Sequence, residues 1–112
     1  MRYKQAQVQR RVDVDLAALA EFKNLHGIEL ANLDDFIVPL RHESFEQSSP
    51  RATSALIGLW VVLDEMPNTN EGYLVVYCPR RASYGLATKG NSRHRPSFIG
   101  FYGSLRETLE GM

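Results

Sequence analysis

Cys78 is the residue best suited by type to covalent chemistry, and it is the only cysteine in the chain. A working cysteine nucleophile needs a nearby cation that favours its thiolate and a histidine that takes its proton. Arg80 and Arg81 are close in sequence, whereas His26, His42 and His94 are far away. A small enzyme built on Cys78 is therefore one functional alternative. The competing reading makes Cys78 a small buried filler at the end of an apolar strand. The histidines do not have the spacing of helical metal ligands, and no second cysteine completes a metal set, so neither a metal nor a cofactor is expected. The acidic pairs Asp34-Asp35 and Asp64-Glu65 would point about 100° apart on a helix, so neither pair converges by itself on one substrate atom. Gly100 and Gly103 match no phosphate-binding fingerprint.

The other constellation is basic and aromatic. Arg80 and Arg81 fall in one connecting segment, 79–82, and Lys89, Arg93 and Arg95 in another, 89–96, with no acid anywhere from 80 to 95. Tyr77 and Tyr84 lie close by. Guanidinium groups hold phosphates and rings stack on bases, so these residues are candidate contacts for an anionic partner, including nucleic acid. Overall charge argues against nucleic acid as the first choice: it is zero, and no RNA-recognition motif is present. The balance conceals an asymmetry. Residues 12–71 carry a net −8, and residues 72–112 a net +4. Two such halves either fold together and neutralise each other or offer a charged face to a partner.

The elements that must position these groups can be read from pattern. The first dozen residues, with Tyr3, Val8, Val12 and Val14 among polar neighbours, read as an edge strand or a frayed arm. Asp13 or Asp15 can cap a helix through Leu16, Leu19, Ala20 and Phe22 that stops at Gly27. Asn32 caps a short turn through Leu33, Phe36 and Ile37, and 41–49 reads as a polar loop. Ser49-Pro50 is a helix start. Ala52, Ala55, Leu56, Leu59, Leu63 and Met66 then form an apolar stripe, which Ile57, Trp60, Val61 and Val62 extend nearly all round. That pattern predicts a buried central helix, with a buried strand over 56–63 as the competing reading.

The C-terminal part predicts an antiparallel meander. Tyr73, Val75 and Tyr77 alternate with Leu74, Val76 and Cys78, segment 84–88 returns, and 98–102 makes a further strand. Gly85 and Gly100 lie in opposing strands and mark a bulge or bend. Ser104 and Glu107 form a capping box for a last short helix docked by Leu105 and Leu109 and ended at Gly111.

Together these elements predict one α+β domain over residues 1–112. A three- or four-stranded, mostly antiparallel sheet packs on two or three helices, with a short helix at the C-terminus. The longest apolar run is far short of the roughly 20 residues of a bilayer span, and a lone cysteine suits a reducing compartment, so a cytoplasmic chain is expected. The closing residues, Phe98 to Met112, resemble the tail of the SUKH superfamily, many of whose members are bacterial immunity proteins ending in a strand and a serine-capped short helix. The characteristic early part of that family has no counterpart in this chain, and no site residue is carried over.

The leading functional expectation is a non-enzymatic domain that binds a protein, either a second copy in a homodimer or another chain, with an inhibitor or immunity role included. Its contacts would be Arg80, Arg81, Lys89, Arg93 and Arg95. A nucleic-acid or phosphate-ligand module using the same loops with Tyr77 and Tyr84 is the alternative from a different class, and a Cys78 enzyme the third.

Overall fold

In the computed structural model, residues 4–47, 56–91 and 93–112 are described. The order of elements is α1 (Gln5–Ala17), a 3-10 turn (Leu30–Asp35), β1 (Ile37–Gln47), β2 (Leu56–Asp64), β3 (Tyr73–Cys78), β4 (Ser83–Thr88), β5 (Ser97–Gly103) and α2 (Leu105–Glu110). The five strands form a closed barrel in sequence order. Each strand is antiparallel to the next. A short parallel seam joins β1 to β5 through Glu46 opposite Ser97 and Gln47 opposite Phe98. The domain is thus α+β with a C-terminal helix as expected, but it has five strands where three or four were predicted.

The additional strands come from two segments whose patterns mislead. Leu56 to Asp64 is strand, not helix, and the capping pair Ser49-Pro50 lies outside the described residues. The segment looks apolar all round because both of its faces are buried, and Val61 to Asp64 are four consecutive buried residues. A register shift between Val61 and Leu63 in the pairing with β3 changes which face each residue takes, as a bulge does. Residues 41–47, read as a polar loop, belong to β1, in which Leu40 and Phe45 are the buried residues among mostly polar neighbours.

Two apolar clusters follow from this closure. One takes side chains from every strand: Phe45 from β1, Leu59 and Val61 from β2, Leu74, Val76 and Cys78 from β3, Ala87 from β4 and Phe98 from β5. It fills the barrel. The other lies on the outer surface of β2–β4, where Val62, Val75, Tyr77, Tyr84 and Leu86 meet Val8 and Val12 of α1 and Leu105 and Leu109 of α2. The alternation read for β3 holds on both of its faces.

The first helix begins earlier than expected. Gln5–Ala17 is helical, so its N-terminal part is neither strand nor frayed arm. Val8 and Val12 are one helical turn apart and fully covered, a spacing that serves a helix face as well as it serves alternation. Asp15 is inside this helix and does not cap it. The chain from Leu19 to Ile28 is not helical but straps across α2. The Asn24 amide donates to the Leu109 carbonyl at 2.7 Å, and the Lys23 backbone N–H donates to Glu110. Gly27 has a φ of +81° there, which a glycine adopts without strain.

At the C-terminus the reading holds closely. Ser104 Oγ accepts from the Glu107 N–H at 3.1 Å, and the Glu107 carboxylate accepts from the Ser104 N–H. Leu105 and Leu109 are buried, and Gly111 follows the helix. Gly85 and Gly100 do flank bulges: register shifts lie between Tyr84 and Gly85 and between Leu86 and Ala87. Among the described residues no helix is long and apolar enough to cross a membrane.

Candidate functional site: a basic cleft at one end of the barrel

β1 and β5 pair only at their two matched positions, and the Glu46 N–H donates to the Pro96 carbonyl at 2.9 Å. Upstream of that seam the two chain segments separate. The gap is a cleft of about 770 Å³, within the usual range of ligand pockets, about 300–1,000 Å³. Arg41 and Glu43 on β1 form one wall, and Arg93, His94 and Arg95 of the 89–96 loop line the cleft with them. Pro96 contributes apolar surface, and Thr69 and Asn70 of the β2–β3 turn complete the rim.

A buried ion pair braces this end. Lys89 Nζ stands 2.6 Å from Asp64 Oδ1, with the two side chains only 10% and 9% exposed. The same ammonium donates to the carbonyls of Met66 and Thr69 at 2.8 and 2.9 Å. A lysine ammonium has three N–H groups, so all three are engaged. Lys89 thus fixes the start of the 89–96 loop against the β2–β3 turn, and its charge is already met by Asp64.

The loop itself is pre-shaped. Asn91 Oδ1 accepts from the backbone N–H groups of Arg93 and His94 at 2.8 and 2.9 Å, a local Asx arrangement that favours a fixed turn. The Asn91 N–H donates to the His94 carbonyl at 2.8 Å. Gly90 fits against Pro96 so closely that a Cβ would lie 2.7 Å from the proline ring nitrogen. The backbone donors of this turn are therefore largely used internally, which leaves recognition to side chains. Arg93 and Arg95 are exposed. Among the described residues neither has a carboxylate within ion-pair distance. Arg41 is paired with Glu43 at 3.4 Å, and both side chains are well exposed.

The seven residues singled out from sequence separate into three groups. Lys89, Arg93 and Arg95 line the cleft. Arg80 and Arg81 sit in the β3–β4 turn at the opposite end of β4, whose six residues span about 20 Å. Arg81 there lies over the Phe101 ring at 4.8 Å. Tyr77 and Tyr84 face each other across β3 and β4, with ring centroids 4.6 Å apart. They are 4% and 3% exposed, within the outer cluster that α1 covers.

Cys78 is buried, opposite Ser83 at the β3–β4 end of the barrel. The histidines lie elsewhere. His26 pairs with Glu65 at 2.6 Å, His42 packs edge-on to Trp60 on the outer face of the β1–β2 pair, and His94 lines the cleft at the far end. The adjacent acids Asp64 and Glu65 diverge, one to Lys89 and the other to His26. Among the described residues no group of three or more His, Cys, Asp or Glu side chains could hold a metal ion.

Arg41 and Glu43 are the cleft residues that sequence reading missed. Their signal was the period-two spacing that puts Arg41 and Glu43 on the same strand face as Phe45, in a segment read as loop. No family model, no curated protein and no solved structure matches the chain.

Proposed function

We propose that this protein is a non-enzymatic binding domain that recognises an acidic partner at the open end of its barrel. The observation that carries this reading is the pair of exposed guanidinium groups, Arg93 and Arg95, without carboxylate partners among the described residues, on a loop pre-shaped by Asn91 and braced by Lys89. Pre-shaping lowers the ordering cost that binding otherwise incurs. Arg41 is the third contact, because its exposed pairing with Glu43 is worth little and can be exchanged for a ligand acid. Lys89 belongs to the site as a brace, and Arg80 and Arg81 fall outside it.

The test is affinity capture of partners from the host by the immobilised wild-type domain and by two double variants, Arg93→Ala/Arg95→Ala and Arg80→Ala/Arg81→Ala. Retention should be lost in the first, kept in the second, and weakened by added salt, as expected for steering by exposed charge. Full retention by the Arg93→Ala/Arg95→Ala variant would remove the cleft from the function.

A further inference from the structure

The cleft's own charge and donor inventory narrows what the acidic group can be. Its lining carries four cations, Arg41, Lys89, Arg93 and Arg95, against the carboxylates Glu43 and Asp64, a formal +2 with His94 neutral. Two of those pairs cancel internally, Lys89 with Asp64 and Arg41 with Glu43. Among the described residues, what is left unmatched is the charge of Arg93 and Arg95, with five N–H donors on each guanidinium. The surplus is therefore of donors as well as of charge. A carboxylate offers two oxygens and a single negative charge. A phosphate monoester offers three oxygens and a charge of about −1.5 to −2 at neutral pH, and paired guanidinium groups bind it through parallel charge-assisted hydrogen bonds.

Resting on the reading above, we infer that the group received between Arg93 and Arg95 is the phosphoryl group of a phosphate monoester. A cleft of about 770 Å³ is much larger than that group, so the phosphoryl is carried by a larger body, whose non-ionic part meets Pro96 and the β2–β3 turn. The chemistry is shared by two sources, a phosphorylated small molecule and a phosphorylated protein side chain.

The experiment is a heteronuclear NMR titration of the ¹⁵N-labelled chain, following the amides of 89–96 and the Arg93 and Arg95 Nε–H signals. The first probes are phenyl phosphate, phenyl sulfate and benzoate. Phenyl phosphate should shift these signals saturably and bind about threefold or more tighter than either monoanion, a step of the size expected for one added charge at an exposed site. The Arg93→Ala/Arg95→Ala variant should lose that preference, and its dispersed spectrum will show that it remains folded. Equal binding of all three probes would overturn the phosphoryl assignment while leaving recognition of an acidic partner intact. No shift with any probe would overturn both. Adenosine 5′-monophosphate and a phosphoserine peptide then separate the sources. Tighter binding of either one than of phenyl phosphate supports the assignment and identifies the carrier, whereas a gain with neither overturns the claim that a larger body occupies the cleft.

Discussion

The Tyr84 hydroxyl donates a 2.7 Å hydrogen bond to Asp15 Oδ2 and so ties the start of β4 to the last turn of α1. Arg11 holds the same carboxylate at 3.2 Å, one helical turn away. The contact is a polar anchor at the edge of an otherwise apolar helix face.

That anchor has a pH signature. Burial, and then the hydrogen bond to Asp15, push the Tyr84 phenol well above its ordinary value, which is about 10. Above that pH the unfolded chain releases a proton that the folded chain keeps. Stability should therefore be insensitive to this group below about pH 10 and fall above it, by at most about 1.4 kcal/mol per pH unit. Tyr84→Phe should flatten that alkaline limb and cost about 1.5–3 kcal/mol at neutral pH, the range for a hydrogen bond to a charged group. Urea denaturation from pH 7 to 11 measures both, and an unchanged alkaline limb in the variant would refute the assignment.

Lys89 gives a second prediction. Replacing it with methionine leaves Asp64 buried with, among the described residues, a single backbone donor, the Met66 N–H at 3.0 Å. Removing one partner of a buried ion pair costs about 3–5 kcal/mol, and the lower end applies here because the site borders an open cleft. Asp64→Asn in the Lys89→Met background should recover part of that loss. An unfolding free energy lowered by less than about 1 kcal/mol in the single variant, measured by urea denaturation, would show that the brace contributes little.

Gly85 on β4 and Gly100 on β5 should behave differently. A Cβ on Gly85 would lie 2.4 Å from the Gly100 carbonyl oxygen and 2.9 Å from the Phe98 ring, whereas one on Gly100 would meet nothing within 4 Å. Gly85→Ala should cost about 2–3 kcal/mol through overpacking inside the barrel, and Gly100→Ala should be close to neutral. Thermal melts of the two variants decide it, and equal midpoints would contradict the packing described.

These packing relations also explain which parts of the fold were legible. β3, β4, β5 and α2 were readable because each carries a local signal: period-two alternation from Tyr73 to Cys78, bulge glycines, and the Ser104–Glu107 capping box. β2 was not, because closure buries both of its faces, and a segment apolar on every side has no period to distinguish strand from helix. Val8 and Val12 misled for the opposite reason, since two residues four apart satisfy either period. At the site, the basic residues from 80 to 95 read as one cluster. The six-residue strand between their two loops carries them to opposite ends of the barrel, a separation that only topology reveals. Tyr77 and Tyr84 were read as contacts beside the basic loops, but the helix that covers them was read as an edge strand or a frayed arm.

The parallel seam has an order-of-events consequence. Glu46 and Gln47 meet Ser97 and Phe98 across about fifty residues of intervening chain. Loop-closure entropy makes such a distant contact slow to form compared with the hairpins between neighbouring strands. The hairpins can therefore assemble while the wall beside β1 is still open, and the cleft acquires its second side only when the seam closes. Any ligand gripped between Arg41 and the 89–96 loop would then bind the finished barrel in preference to its open precursors, and its presence would pull the last folding step to completion.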